Sequence, residues 1–293
     1  MSDYSTLVVE QEGPILWVRI NRPEAMNAYT ATMGAELAAA FDHADAQDSI
    51  RVVILSALGH VFCAGADVSA GAGAFDTESG EGAKNFGGPS ARNSGGRNAN
   101  FIAAIMNCRK PSIVAFNGSA AGVGLTLTLP CDIRIAADTA KFGCVFTRRG
   151  LVPEAGSAWF LPQIVGLSQA LKWCLTGALV PASEALEKGL LAETCPADQL
   201  DQRARELAME IATNTSPVAV ALTRRLLWRF AADADPSGAL AVDAPLNIAL
   251  GKGADVHEGV SAFLEKRAPS FPSKVSSNMP ATPWWPEDPT ARK

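Results

Sequence analysis

Short continuous runs of apolar residues alternate along the first half of this chain with segments whose apolar positions recur every three or four residues. Runs at 7–9 and Ile15–Ile20, separated by Gly13-Pro14, predict an antiparallel hairpin. Helical spacing follows over 30–46, and 52–56 is apolar throughout, as is typical of a buried parallel strand. The pattern predicts a core in which strands and helices alternate.

The alternation continues to about residue 136, after which the pattern becomes mostly helical. Further elements are predicted as a helix over 100–107, a strand over 112–116, a helix over 123–129 and a strand over 132–136. Helices are then predicted over 157–165, 168–175, 182–188, 198–214, 217–232 and 256–266. Strands that alternate with helices favour β-α-β units around a mainly parallel sheet, so the fold class is α/β. We divide the chain into a core over 1–200, a helical region over 201–268 and a Pro/Ser-rich tail over 269–293.

The segment 69–100 departs from this pattern. Gly, Ser, Ala and Asn dominate it, and large apolar residues are rare. A connection of this length without elements of its own is uncommon in a compact domain and is often a lid over a binding site. We therefore expect 69–100 to line or cover a ligand.

Composition narrows the class of protein. Hydrophobic residues make up 48% and charged residues 19% of the chain, and the net charge of −5 gives no argument for nucleic-acid binding. The six cysteines form no C-x-x-C pair, which favours reduced thiols in a cytoplasmic protein, and three scattered histidines predict no metal site. No apolar run reaches the roughly 18 residues of a membrane span, so we expect no membrane partner.

Two turns of small residues follow apolar strands and carry the first chemical signal. One is Cys63-Ala64-Gly65-Ala66-Asp67, and the other leads through Gly122-Val123-Gly124 into a helix. Unpaired amides at a helix start carry partial positive charge. If the two turns face each other, two main-chain amides can stabilise one oxyanion.

Taken in order, the motifs of this chain resemble those of the crotonase superfamily, the enoyl-CoA hydratase/isomerase fold. The similarity covers about residues 7–271. The motifs are N-R-P at 21–23 with N-A at 27–28, F-C-A-G-A-D at 62–67, A-F-N-G-S-A-A-G-V-G at 115–124, C-D-I-R-I-A-A at 131–137, F-G at 142–143, G-L-V-P-E-A-G-S at 150–157 and E-G-V-S-A-F-L-E-K-R at 258–267.

The resemblance implies a crotonase fold of repeated ββα units, a helical C-terminal trimerisation region, and a homotrimer or a dimer of trimers. It implies an acyl-CoA thioester substrate and a place in fatty-acid metabolism, with coenzyme A as part of the substrate and no other cofactor. Carried over by position, the oxyanion hole consists of the amides of Ala66 and Val123. The CoA-binding residues are Ala64, Asp67 and Val68.

Hydration by members of this family uses two carboxylates, and this chain has neither at the matching positions, which are Thr126 and Phe146. A lone acid, Glu154, stands nearby, as in peroxisomal-type Δ3,Δ2-enoyl-CoA isomerases. The resemblance therefore implies that Glu154 moves a proton from C2 to C4 through a dienolate. Apolar neighbours would raise the pKa of its carboxyl, and we expect Thr126, Phe146 and Trp159 in the acyl pocket.

Each of these residues has a plainer interpretation. Glu154 could stabilise the first turn of a helix, Thr126 could bond its own helix backbone, and Asp67 could cap the segment after its turn. Cys63 could be a nucleophile if a histidine such as His60 lay beside it. The function itself has three alternatives, namely a hydratase or a hydrolase that works with one carboxylate, or a CoA-binding crotonase homologue without catalysis.

Overall fold

The structure, a computed structural model, describes residues 4–76, 78, 80, 82 and 100–282. Most of the predicted lid over 69–100 and the end of the tail, including Trp284-Trp285, lie outside these residues. The strands are β1 Leu7–Glu12, β2 Ile15–Ile20, β3 Val52–Ala57, β4 Val61–Cys63, β5 Ser112–Phe116, β6 Ser119–Ala121, β7 Ile133–Ala137, β8 Lys141–Gly143, β9 Leu179–Pro181 and β10 Glu193–Cys195.

The described α-helices lie between and after these strands. They are α1 Ala31–Ala46, α2 Phe101–Asn107, α3 Val123–Thr126, α4 Ser157–Val165, α5 Leu167–Thr176, α6 Ala182–Glu187, α7 Leu200–Asn214, α8 Pro217–Phe230, α9 Ser237–Leu250 and α10 Ala254–Glu265. None of the helices in the described part of the chain has the length and apolar content to cross a membrane.

A six-stranded sheet in the order β1-β2-β3-β5-β7-β10 forms the centre of the fold. The hairpin β1-β2 is antiparallel, as predicted, and the other neighbours are parallel. Side chains alternate between its faces, so Val18 and Leu55 join the main core with α1, whereas Trp17 and Ile54 join a second cluster with α7. Helices therefore cover both faces, which explains why β3 is buried throughout and, apart from Ser56, apolar.

A second, four-stranded sheet in the order β4-β6-β8-β9 lies beside the first. Its strands have three residues each, too few to show a period of two, and the sequence did not predict them. Strands β4 and β6 are parallel, so their carboxyl ends meet at one edge. The two small-residue turns leave the sheet at that edge.

A buried ion pair attaches α8, one of the C-terminal helices, to the core. Arg224 of α8 donates to the carboxylate of Asp132 at 2.7 Å and to the carbonyl oxygens of Ile105, Met106 and Cys108. The indole N–H of Trp228, one turn later, donates to the other oxygen of Asp132 at 2.8 Å. The predicted helical region thus contacts the core directly before the start of β7.

One predicted helix is shorter in the structure, and one helix of the structure was not predicted. The helix expected over 123–129 ends at Thr126, after which tight turns lead to β7. Helix α9, Ser237–Leu250, was missed because it has Pro245 inside it and buries one residue, Leu246, in the described chain. Its apolar residues therefore follow no helical stripe that a single sequence would show.

Candidate active site

A cavity of about 750 Å³ opens where the turn after β2, the two small-residue turns and the segment after β8 come together. Ala64, Ala66, Asp67, Val68, Val123, Phe146 and Glu154 line it, so most of the residues predicted for the site share one cavity. The walls also include Tyr29, Val145, Arg149 and Leu151. Apolar side chains with a few polar groups are typical of a small-molecule site.

The turn after β4 is held in place by the segment before α1. The Tyr29 N–H donates to the carbonyl of Gly65 at 2.8 Å, and the Asp67 N–H donates to the carbonyl of Tyr29 at 2.9 Å. The peptide between Gly65 and Ala66 is trans, so its N–H points opposite to its carbonyl. The Ala66 amide therefore faces away from Tyr29 and bonds to none of the described residues.

The second amide belongs to Val123, the first residue of α3. The carbonyl of Gly122 accepts from Leu125 and Thr126 at 3.0 Å each, so it points along the helix. The Val123 N–H, in the same peptide, points out of the helix start. It too donates to no described residue, as expected for the first turn of a helix.

The two turns touch through their glycines. A Cβ built on Gly65, which has φ of +112°, would lie 3.1 Å from the carbonyl oxygen of Ala121. A Cβ on Gly122 would lie 3.9 Å from the Cα of Gly65. Glycine at these positions allows the backbones to approach closely, so the amides of Ala66 and Val123 border the same cavity.

Glu154 reaches the cavity from a turn that precedes α4. Ala155 and Gly156 have φ of 56° and 72°, in the left-handed region, and the Glu154 carbonyl accepts from both the N–H and the hydroxyl of Ser157. Left-handed backbone is unfavourable for a residue with a Cβ, so the turn at Ala155 is strained. Helix α4 begins at Ser157, and Glu154 is therefore not in its first turn.

One hydrogen bond fixes the carboxylate of Glu154. The hydroxyl of Thr126, which is fully buried, donates to its Oε1 at 2.8 Å. Thr126 thus bonds Glu154 rather than its own helix. Although the residue as a whole is exposed at the cavity mouth, the surrounding protein raises the pKa of the carboxyl by burial, and the Thr126 bond opposes this shift. Burial, together with the charge of Glu154, also raises the pKa of Tyr29.

The second acid of the cavity, Asp67, is ionised and ion-paired. Asp67 forms an ion pair with Arg22 at 2.9 Å and accepts from the Ser69 N–H at 3.0 Å. Burial opposes ionisation here, but the bonds from Ser69 and the Arg22 guanidinium hold the pKa of Asp67 below its ordinary value. Asp67 therefore caps its own turn, as the plainer interpretation expects, while it also lines the cavity.

Trp159 lies elsewhere. Its side chain is 44% exposed and packs with Phe160 and Trp228, with ring centroids 4.9 and 6.3 Å away, and it is not among the residues that line the cavity. The acyl-pocket prediction for Trp159 does not match this position.

The nucleophile interpretation of Cys63 finds no support. Its thiol is fully buried, and burial raises its pKa to about 11, so it is protonated at neutral pH. His60, three residues earlier in the chain, is exposed. Among the described residues it forms no hydrogen bond with Cys63. In the part of the chain that the structure describes, no three acidic, histidine or cysteine side chains group in a way that could hold a metal ion.

The sequence analysis did not single out Tyr29, which lines the cavity. Tyr29 follows the predicted N-A motif, and its neighbour Asn27 is buried with its side-chain amide bonded to the carbonyls of Leu58 and Val61. A buried asparagine in a turn is a signal that the following residues are held in place, and it could have directed attention to Tyr29.

Comparisons with known proteins identify related sequences. A family model described as enoyl-CoA hydratase/isomerase matches residues 10–274. The chain is 40% identical over 255 residues to the enoyl-CoA hydratase ACTT3 of Alternaria alternata. The aligned region covers 85% of this chain and 80% of that protein. It is 32% identical over 266 residues to the 1,2-epoxyphenylacetyl-CoA isomerase of Escherichia coli, covering 90% of this chain and 97% of that one.

Solved structures are similar over nearly the whole chain. The crystal structure of an enoyl-CoA hydratase from Bacillus anthracis matches with a TM-score of 0.80 at 29% identity, over 91% of this chain and 99% of that one. The structure of Pseudomonas aeruginosa DspI matches with a TM-score of 0.80 at 31% identity, over 92% and 98% of the two chains.

Proposed function

The chain belongs to the enoyl-CoA hydratase/isomerase family and has its crotonase fold, and from this premise we propose that it moves a double bond of an acyl-CoA from Δ3 to Δ2. The observation that carries the proposal is the single available acid. Glu154 is the one carboxylate among the described cavity residues that is not ion-paired, because Asp67 is bound to Arg22. An isomerase of this kind needs one base, whereas the usual hydratase of the family uses two.

The thioester oxygen of the substrate would accept hydrogen bonds from the amides of Ala66 and Val123. Both amides are free of protein partners among the described residues, and both border the cavity. Donors that are already oriented stabilise the charge that develops on this oxygen, and the loss of one such donor in other enzymes costs about 2.7–4 kcal/mol. The CoA part would bind along Ala64, Asp67 and Val68.

Glu154 would act first as base and then as acid. Its carboxylate removes a proton from C2, and the electron pair of that C–H bond forms a dienolate over C4, C3, C2 and the thioester. The protonated Glu154 then returns the proton to C4, which leaves the double bond between C2 and C3. Burial raises the pKa of Glu154, which brings the base closer to the operating pH and helps the return step.

The remaining features of the proposal follow the family. We propose a homotrimer or a dimer of trimers in the cytoplasm, with coenzyme A as part of the substrate and no further cofactor. Large apolar side chains of the C-terminal helices are exposed on the single chain, among them Leu240, Ile248, Phe263 and Leu264. Burial of such residues between subunits would remove apolar surface from water.

Hydration is the second candidate, because the relatives are mostly named hydratases, including one that is 40% identical. In that case Glu154 and Thr126 would hold and deprotonate a water that attacks C3. The cavity has room for this water, and the hydroxyl of Thr126 stands where the usual first carboxylate of the family would be. Hydration needs a second proton donor, for which the described cavity offers no further unpaired carboxylate.

Two substrates separate these reactions. Purified enzyme is incubated with a 3-enoyl-CoA and, separately, with the matching 2-enoyl-CoA, and the products are identified by chromatography. Isomerase activity gives the 2-enoyl thioester from the first substrate, whereas hydratase activity gives the 3-hydroxyacyl thioester from the second. Glu154→Gln should reduce isomerisation by roughly 10²–10⁴-fold and leave CoA binding intact. Glu210→Gln, an exposed acid on α7, is the matched control. Isomerisation at the wild-type rate in Glu154→Gln contradicts the proposal.

A further inference from the structure

A second cavity, of about 340 Å³, lies where tail residues 271–275 cross the ends of α1 and α2. It shares none of its lining residues with the candidate active site. Its charged residues are Arg51, Lys110, Lys274 and Asp48, which makes three cations against one carboxylate. The described lining therefore carries an excess of positive charge in a chain whose net charge is −5.

Lys110 is the central observation. Its side chain is 2% exposed, and its ammonium nitrogen has no hydrogen-bond partner among the described residues. An ammonium group has three N–H donors, and buried polar groups in folded proteins are nearly always bonded. A buried lysine that lines a cavity without a partner is thus placed to bind an acceptor from outside the chain.

The acids nearest to Lys110 are already engaged elsewhere. Asp48 accepts from both the N–H and the hydroxyl of Ser276, and Asp45 forms a two-pronged ion pair with Arg109. Their charges oppose the effect of burial on Lys110, yet burial still lowers the pKa of its ammonium group. These carboxylates interact electrostatically with Lys110, but they accept no hydrogen bond from its ammonium group.

The other two cations of the cavity are Arg51 and Lys274. Arg51 is half-buried and donates one N–H to the carbonyl of Thr215 at 2.6 Å. Its guanidinium has four more N–H donors. Lys274 lies on the tail, which is held to the body by the bonds from Ser276 to Asp48 and from Ser273 to Asp255. The tail therefore brings one cation to two that the core supplies.

We propose that this cavity binds a phosphate group, with Lys110 as its innermost ligand and Arg51 and Lys274 as the flanking cations. Three cations match the two charges and several acceptor oxygens of phosphate better than a monoanion. A cavity of about 340 Å³ has room for a substituent on the phosphate, so a phosphate monoester fits as well as the free ion. This inference does not rest on the reaction proposed above.

The test is thermal unfolding of the full chain during titration with inorganic phosphate, at an ionic strength held constant with sodium chloride. Phosphate that binds the folded state raises the Tm by mass action, and chloride does not. The variants Lys110→Met and Lys274→Met should weaken phosphate binding roughly tenfold or more, since each removes a charged donor. Methionine resembles lysine in length, so Lys110→Met leaves no large void. Lys252→Met, an exposed lysine outside both cavities, is the matched control.

A phosphate-dependent rise of the Tm in the wild type and in Lys252→Met, but not in the other two variants, supports the site. Phenyl phosphate as a second titrant then distinguishes a metabolite phosphate, which would bind more tightly than the free ion, from inorganic phosphate itself. If the Tm of the wild type does not respond to phosphate, or if Lys110→Met and Lys274→Met respond as the wild type does, the proposal is wrong. Should Lys110→Met fail to fold, Lys274→Met decides alone.

Discussion

The hydroxyl of Thr126 donates to the carboxylate of Glu154 at 2.8 Å, and this contact connects the helix that begins at Val123 with the strained turn that carries the acid. Thr126 lies one helical turn after Val123, so both project from the same side of α3. The proposed base and one of the proposed oxyanion donors are therefore positioned by one short helix. A shift of α3 would move both of them relative to a bound thioester.

Removal of the Thr126 hydroxyl should change the pH dependence of catalysis. The bond favours the charged carboxylate, so Thr126→Val raises the pKa of Glu154 further above its ordinary value of 4.5. A base must be deprotonated to act, and the acid limb of the kcat/KM profile should therefore move to higher pH. The measurement is kcat/KM across pH for the wild type and the variant.

Thr128→Val is the control for this change. Thr128 is equally buried, but its hydroxyl donates to the carbonyl of Leu125 at 2.7 Å and does not contact Glu154. It should alter stability without moving the acid limb. An acid limb that stays in place in Thr126→Val, or that moves equally in both variants, would mean that the Thr126 bond does not tune the base.

The Val123 amide can be deleted without loss of a bond in the folded protein. Proline is tolerated at the first position of a helix, where the N–H has no partner within the helix, and Val123 holds this position in α3. Val123→Pro should lower kcat by roughly 10²–10³-fold if this amide binds the thioester oxygen. Val123→Ala keeps the amide and should retain most of the rate. Equal rates in the two variants, measured on folded protein, would argue against an oxyanion role.

A methyl group on Gly124 should separate the two small-residue turns. Its Cβ would lie 2.3 Å from the carbonyl oxygen and 2.7 Å from the Cβ of Cys63, so α3 has to move away from β4. Gly124→Ala should lower the free energy of unfolding by about 1–3 kcal/mol, as overpacking does, and should also reduce kcat. Gly73→Ala adds the same methyl group in open space and should change neither. Denaturant unfolding and steady-state kinetics measure both effects, and wild-type stability in Gly124→Ala would show that this contact relaxes freely.

Cys174 should be the most reactive thiol among the half-buried cysteines. A hydrogen bond from the thiol of Cys144 lowers the pKa of Cys174, whereas burial raises the pKa of Cys195, which is similarly half-buried. The thiolate is the reactive form, so iodoacetamide at neutral pH should label Cys174 before Cys195.

The control for this thiol is the removal of its donor. Cys144→Ala should slow labelling of Cys174, while Cys108→Ala, which removes a buried thiol elsewhere, should leave it unchanged. Peptide mass spectrometry after timed quenching gives the rates. The assignment is wrong if Cys195 reacts as quickly as Cys174 in the wild type.

Local patterns predicted much of the fold. The hairpin β1-β2, α1 and β5 agree with their predicted bounds to within a few residues, because strong apolar periodicity and turn residues mark them. The second sheet could not be predicted in this way. Strands such as β4 and β6 are three residues long and exist through pairing with each other, which is a tertiary effect that local propensity does not report.

The candidate site, like the fold, could be predicted only in part from local patterns. The small residues around Gly65 and Gly122 allowed the two turns to be considered as one site, because close approach of backbones requires glycine. The bond between Thr126 and Glu154 was not predicted, since it joins residues 28 positions apart. The position of Trp159 could not be predicted either, because it packs with Trp228, which is far away in the sequence.

The contact between positions 126 and 154 also limits how this site could evolve. A glutamate at 126 would place its carboxylate against that of Glu154, and the repulsion between two like charges in contact would raise the pKa of one of them. A second acid at 126 would therefore alter the protonation of the acid at 154, so a change at one of these positions acts on the other.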